Sequence, residues 1–238
     1  MCTLTYRLTE SGYELFFNRD EQRSRAQALH PIVDPDLNAI YPIDPIGKGT
    51  WLAVHQSGLS LALLNFYQAQ QKSPTRTFNS RGEIILSLLK NTGNVLELIN
   101  SLSLKDYQPF QLCVFLPNTS SVNNKIYCFQ WDGINLTKVD KNLPITSSGV
   151  QYDRVYEARK LAFQQLVEDE KSDTDTFLKY HQFQQENGML SVKMSREDAQ
   201  TVSFSHITVG QKQTNDIVFN YVDYLNDQQK TRLMTRKL

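Results

Sequence analysis

The second residue of the chain is a cysteine, and four polar residues in a row, Asn18-Arg19-Asp20-Glu21, follow a short way along. If Met1 is removed, Cys2 carries a thiol and a free α-amine on one residue. That is a nucleophile and a base together, the arrangement by which an N-terminal Thr is activated, with a better nucleophile. An α-amine titrates near pH ~7.7–8.0 and a free thiol near ~8.5, so both lie within reach of neutral pH.

The elements that must position Cys2 show in the alternation of side chains. Leu4, Tyr6 and Leu8 alternate with Thr3, Thr5 and Arg7, the period of a half-buried strand over positions 2–8. A turn at Glu10-Ser11-Gly12 leads to a second strand over 13–17, and the antiparallel return brings Asn18-Arg19 beside Cys2. Positions 23–46 hold Pro31, Pro35, Pro42 and Pro45 and are predicted as an irregular loop, with His30 a surface residue on it. A hairpin over 49–65 follows, its second strand so apolar that it must be central and covered on both faces. Asn65 ends that strand, as a turn former or as a site residue.

Ser80-Arg81-Gly82-Glu83 has capping-box spacing and predicts a helix from about Ser80, with a second over 95–102. Strands are expected over 110–116, 125–131 and 136–139, helices over 153–170 and around Phe177, Tyr180 and Phe183, and a closing strand pair over 201–209 and 216–224. His206 alternates with Phe204 and Thr208 and belongs to a strand face. The charged connection Glu168-Asp169-Glu170-Lys171-Ser172-Asp173 reads as a solvated tip rather than a metal site. The basic residues Lys230, Arg232, Arg236 and Lys237 read as a solvated tail.

Composition narrows the function classes. Lys+Arg and Asp+Glu are both 25, and a net charge of zero argues against a nucleic-acid binder, which needs a basic stripe. With 238 residues, 40% of them hydrophobic, the chain fits one soluble domain over 1–238. No run approaches the roughly 18 apolar residues of a membrane span, so stable membrane insertion is not expected. Three cysteines without CxxC spacing make neither a disulfide framework nor a zinc site, which points to a reducing cytoplasm. Cys113 and Cys128 stand in apolar strand contexts and are expected to be inert core thiols.

Met1-Cys2, Asn18-Arg19-Asp20-Glu21, Gly49-Thr50-Trp51-Leu52-Ala53-Val54, Leu64-Asn65-Phe66 and Ser80-Arg81-Gly82-Glu83 occur here in the order and approximate spacing of the NRDE family. This is the family of transport and Golgi organisation protein 2, whose members resemble N-terminal-nucleophile (Ntn) hydrolases. The resemblance implies an α+β fold, a four-layer αββα sandwich of two antiparallel sheets flanked by helices.

It also implies roles. Cys2 attacks a non-peptide carbon–nitrogen amide bond, Arg19 favours its thiolate, Asp20 orients the α-amine, and Asn65 donates to the oxyanion. Asn18 and Glu21 give the motif structural support. Related hydrolases carry a second oxyanion asparagine where this chain has Ser147-Ser148-Gly149. Hydrolysis on this plan calls for no cofactor or metal, only a small-molecule substrate. The family's association with trafficking gives an alternative, a non-catalytic carrier or chaperone for haem or a lipid-like acyl ligand, with haem as cargo only. The sequence leaves the oligomeric state open.

Overall fold

The computed structural model describes residues 2–69, 77–140, 142–167, 172–210 and 216–237. The chain opens with the expected hairpin, β1 (Cys2–Thr9) and β2 (Gly12–Gln22), and runs straight into a second one, β3 (Leu29–Asp34) and β4 (Ala39–Ile43). This second hairpin corrects the irregular loop predicted for 23–46. Its prolines misled because Pro31 sits where the β3–β4 register shifts, on a strand at the edge of its sheet, and edges and bulges are where a strand tolerates proline.

β5 (Leu52–His55), β6 (Ser60–Asn65), β7 (Phe110–Phe115), β8 (Ile126–Trp131) and β9 (Leu136–Val139) complete that sheet in the order β3-β4-β5-β6-β7-β8-β9, antiparallel throughout. β6 is its middle strand and is buried on both faces, as its unbroken apolar run required.

Between β6 and β7 come α1 (Gly82–Leu89) and α2 (Val95–Ser101). α1 starts two residues later than the capping-box spacing suggested. Arg81 occupies the cap and no side chain caps the helix, so Ser80 and Glu83 do not form the box.

The first sheet is completed from the far half of the chain. β10 (Ile145–Ser147) pairs with β1 on one side, and β11 (Ala199–Gly210), β12 (Asp216–Asp223) and β13 (Gln228–Thr235) extend it from β2 on the other. Between β10 and β11 lie α3 (Tyr152–Val167) and α4 (Thr174–Gln182), and Asp173 caps α4 by accepting from the Thr176 N–H. Residues 168–171 of the charged connection lie outside the described residues.

β10 was invisible because three residues show no period. β13 overturns the solvated tail: Lys230 and Arg232 are half-buried on an edge strand, where charge discourages further pairing, and Arg232 donates to the Pro31 carbonyl at 2.9 Å. Arg236, just beyond it, is buried and donates to the Ser57 and Gly210 carbonyls and to Asn118 Oδ1.

Three apolar layers hold the sandwich together. Leu4, Leu15 and Phe17 of the first sheet meet Leu52, Val54, Leu64 and Phe115 of the second between the sheets. The outer face of the second sheet packs Leu61 and Val114 against Ile85 and Leu88 of α1. The outer face of the first packs Phe16 and Phe204 against Phe163 of α3 and Phe177 of α4. The order helix, sheet, sheet, helix is the expected αββα arrangement. Cys113 and Cys128 are buried register partners on β7 and β8, with thiols 3.3 Å apart that form no disulfide.

Candidate active site

Cys2 lies directly opposite Arg19 in the β1–β2 register, and opposite Ser147 on its other side. Directly opposed residues have Cβ atoms roughly 4.5–5.5 Å apart, so these three side chains stand in one row on the face between the sheets. The Ser147 Oγ is buried and has no hydrogen-bond partner among the described residues.

The pleat of β2 divides the four-residue motif in two. Asn18 and Asp20 point to the helix layer. The Asn18 amide donates to the carbonyls of His181 (2.8 Å) and Val192 (2.9 Å). Its Oδ1 is then the acceptor for His181 Nδ1 at 3.2 Å, which leaves His181 Nε2 to accept from the Thr5 hydroxyl at 2.7 Å. Burial holds this imidazole neutral, with its pKa pushed down to about 3. The Asp20 carboxylate accepts from the Thr201 hydroxyl (2.6 Å) and from the guanidinium of Arg159 (3.1 Å), which also donates to Thr3 Oγ1 and the Ser191 carbonyl.

Arg19 and Glu21 point the other way. The Arg19 guanidinium lies 4.3 Å above the ring of Trp51 on the facing sheet, 3.2 Å from Glu21 and 3.7 Å from Asp44. Arg25 closes the set, 2.6 Å from Asp44 and 3.5 Å from Glu21. Burial works against the Asp44 charge, but Arg25 and the N–H groups of Gly47 and Ile46 hold its carboxyl below the usual range.

Two of the sequence motifs prove to be halves of one contact. The Thr50 N–H donates to the Gly82 carbonyl at 3.2 Å. A Cβ on Gly49 would stand 2.3 Å from the Gly82 carbonyl carbon, and one on Gly82 would stand 2.7 Å from the Thr50 nitrogen. Only glycine at both positions lets the loop before β5 close on the start of α1. The contact sets Trp51 and Arg81 in the wall of one cleft, where Arg81 Nη1 donates to the Pro109 carbonyl at 3.0 Å.

That cleft has a volume of about 710 Å³, within the range of small-molecule sites. Cys2, Arg19, Trp51, Asn65, Tyr67 and Arg81 contribute to its lining. Asn65, at the end of β6, donates through Nδ2 to the Tyr67 hydroxyl at 2.8 Å. Cys2, Arg19, Asn65 and Glu21 therefore meet at one site. Asp20 reaches the lining, while its carboxylate is engaged on the helix side; Asn18 does not line the cleft.

Cys2 is partly exposed yet enclosed enough that burial pushes its thiol up, and the Asp20 charge adds to this. The terminal ammonium and Arg19 pull the other way, Arg19 in the expected direction, but both are outweighed by burial. None of the four histidines lines the cleft. His30 lies near Asp223, 3.3 Å away, and His206 lies near Glu14 at 3.8 Å.

A family model described as Transport and Golgi organisation 2 matches residues 1–235. The chain belongs to this family. No curated protein sequence matches it. In structure it is similar to the Caenorhabditis elegans N-acylethanolamine-hydrolyzing acid amidase ortholog, an Ntn hydrolase, with a TM-score of 0.51 at 10% identity over 87% of this chain and 92% of that one. At that identity the likeness is one of fold. Family and fold agree with the resemblance carried by the five motifs. Among the described residues no helix is long and apolar enough to cross a membrane.

Several residues of the site escaped sequence reasoning. Arg159 shares the buried stripe of α3 with Val155, Ala162 and Phe163, and a lone arginine at that spacing was a usable signal. Asp44 and Arg25 lay in the supposed loop. Arg81 was read as part of a helix cap and of a family motif but given no role of its own, and no period marked Thr201 or Tyr67.

Proposed function

We propose that the chain is an Ntn-type cysteine amidohydrolase that cleaves the carbon–nitrogen bond of a small amide through Cys2 once Met1 has been removed. One observation carries this reading: Cys2 opens onto a cleft that it shares with Arg19 and Asn65 and that no histidine lines. The base in reach of such a thiol is its own α-amine.

Cys2 Sγ attacks the carbonyl carbon while the α-amine takes its proton, and Asn65 Nδ2 donates to the oxyanion. The C–N bond then breaks, the departing amine leaves with the proton from the α-ammonium, and a thioester remains. Water adds to the thioester, giving up a proton to the α-amine. Collapse releases the acid and returns the thiol. Arg19 holds positive charge beside the sulfur. Asp20, one step along β2 and anchored by Arg159 and Thr201, orients the amine.

The amide class is supported by the fold shared with an amidase that hydrolyses N-acylethanolamines. The alternative, a carrier for haem or an acyl ligand, calls for a largely apolar wall. The cleft is instead lined mainly by charged and amide side chains, which favours a small polar substrate. A reducing cytoplasm suits a free Cys2 thiol.

The test is the intact mass of the protein from its native cell, before and after brief alkylation, with the modified residue mapped. Loss of Met1 and preferential labelling of Cys2 over Cys113 and Cys128 are expected, followed by amide turnover that a Cys2→Ala variant lacks. A retained Met1, or turnover that survives Cys2→Ala, would sink the mechanism.

A further inference from the structure

The charges around the cleft do not cancel one by one. Arg19 and Arg25 are matched by Glu21 and Asp44 in a closed set of four. Asp20 is matched by Arg159. Lys48 and Glu83 are exposed, where water screens them.

Arg81 is the remainder. It is half-buried, its one hydrogen bond among the described residues goes to a neutral carbonyl, and no described carboxylate comes within the 4.0 Å of an ion pair. A guanidinium has five N–H donors, and burying its charge without a counter-charge is unfavourable. Consistent with that, burial pushes Arg81 below the usual arginine range, against the pull of Tyr67, Cys2 and Glu21.

The placement of Arg81 is also fixed from behind. The next residue, Gly82, is pressed on Gly49, and the Pro109 carbonyl holds one guanidinium nitrogen. A planar fork of donors presented by a rigid support matches two oxygens of a carboxylate or a phosphate.

We propose that the cleft takes a ligand with an acidic group, a carboxylate or a phosphate monoester, and that Arg81 is the residue that reads it. This rests on the cleft being the substrate site, and it makes that substrate an anionic amide. It does not rest on Cys2 being catalytic, because recognition of the anion precedes any chemistry.

The test is calorimetric binding to the full-length Cys2→Ala protein, which cannot turn the probes over. N-benzoylglycine is compared with its methyl ester, and N-benzoylethanolamine phosphate with N-benzoylethanolamine. One charged member of these pairs is expected to bind about tenfold or more tightly than its neutral twin, the scale of one charge-assisted hydrogen bond, and which pair shows it identifies the acidic group. Arg81→Gln should bring that ratio near one while the neutral twin binds as before, and Arg81→Lys should retain part of it.

Equal binding of both members in both pairs overturns the proposal, with no variant needed. So does a charge preference that survives Arg81→Gln. A preference that depends on Arg81, found in a protein whose Cys2 form turns over no amide, leaves this proposal standing and removes only the hydrolase.

Discussion

Asp20 and Arg159 form an ion pair 3.1 Å long in which neither side chain reaches solvent. It ties β2 to α3 directly behind the strand that carries Cys2. Removing one partner leaves the other charged and buried, which typically costs about 3–5 kcal/mol. Arg159→Met should therefore lower unfolding stability in urea by about that much, and adding Asp20→Asn should restore a good part of it. A double variant no more stable than Arg159→Met would show that the loss comes from packing or from the Thr3 and Ser191 bonds instead.

Stability should fall on mild acidification because of His181. Its folded pKa of about 3 lies below the unfolded value near 6.5, so between these limits the unfolded chain binds the extra proton. The contribution is complete above about pH 6.5 and declines as pH falls toward 3, by about 2 kcal/mol between pH 7 and 5. Groups around it, Arg159 and His206, push the same way. Urea titrations at pH 7, 6 and 5 should show a flatter pH dependence in His181→Gln than in the native chain; equal slopes would place the dependence elsewhere.

Arg19 should lower the Cys2 pKa even though burial prevails over it. In Arg19→Gln the pH profile of Cys2 alkylation is expected to move upward, with slower labelling at pH 7.5 than in the native protein. Labelling as fast as before would mean that the guanidinium is spent on Trp51, Glu21 and Asp44 and does not act on the sulfur.

Gly49→Ala should be destabilising by about 1–3 kcal/mol, as for other insertions into close-packed contacts. The added methyl must push the loop before β5 away from α1, so the variant should also weaken whatever binds beside Arg81. Thermal unfolding and ligand binding should both change; a neutral Gly49→Ala would mean that the two segments part easily.

Asn65→Ala keeps the strand but removes the amide donor. If the chain is the amidase proposed above, turnover should fall about 10²–10³-fold with little change in the unfolding midpoint. A loss of less than tenfold would take Asn65 out of the chemistry.

Much of the fold was legible wherever side chains repeat with a period. β1, β6 and β9 could be read almost to the residue, because alternation and unbroken apolar runs report burial directly; β2 runs on to Gln22, five residues past its expected end, because the polar Asn18-Arg19-Asp20-Glu21 run shows no apolar period. β3 was hidden by a proline that an edge strand accepts, β4 by Pro42, which sits at the β3–β4 register shift and past the β4–β5 pairing, β10 by its brevity, and β13 by a polar character that suits an edge as well as a tail. The candidate site was legible where residues adjoin Cys2 through a hairpin, as Arg19 does. Arg159, Thr201 and Asp44 come from elements whose pairing with β2 depends on the whole topology, and no local pattern states it.

The four motif residues face alternately because β2 is extended, Arg19 and Glu21 toward the cleft, Asn18 and Asp20 toward the helices. Deleting a single residue between Gly12 and Asn18 without a compensating bulge would exchange the two faces. The arginine would be driven against His181, and the asparagine would look into the cleft. Two sets of partners, one on each side of a sheet, are thus addressed by four letters whose meaning lies in their parity, and the strand works as a reading frame.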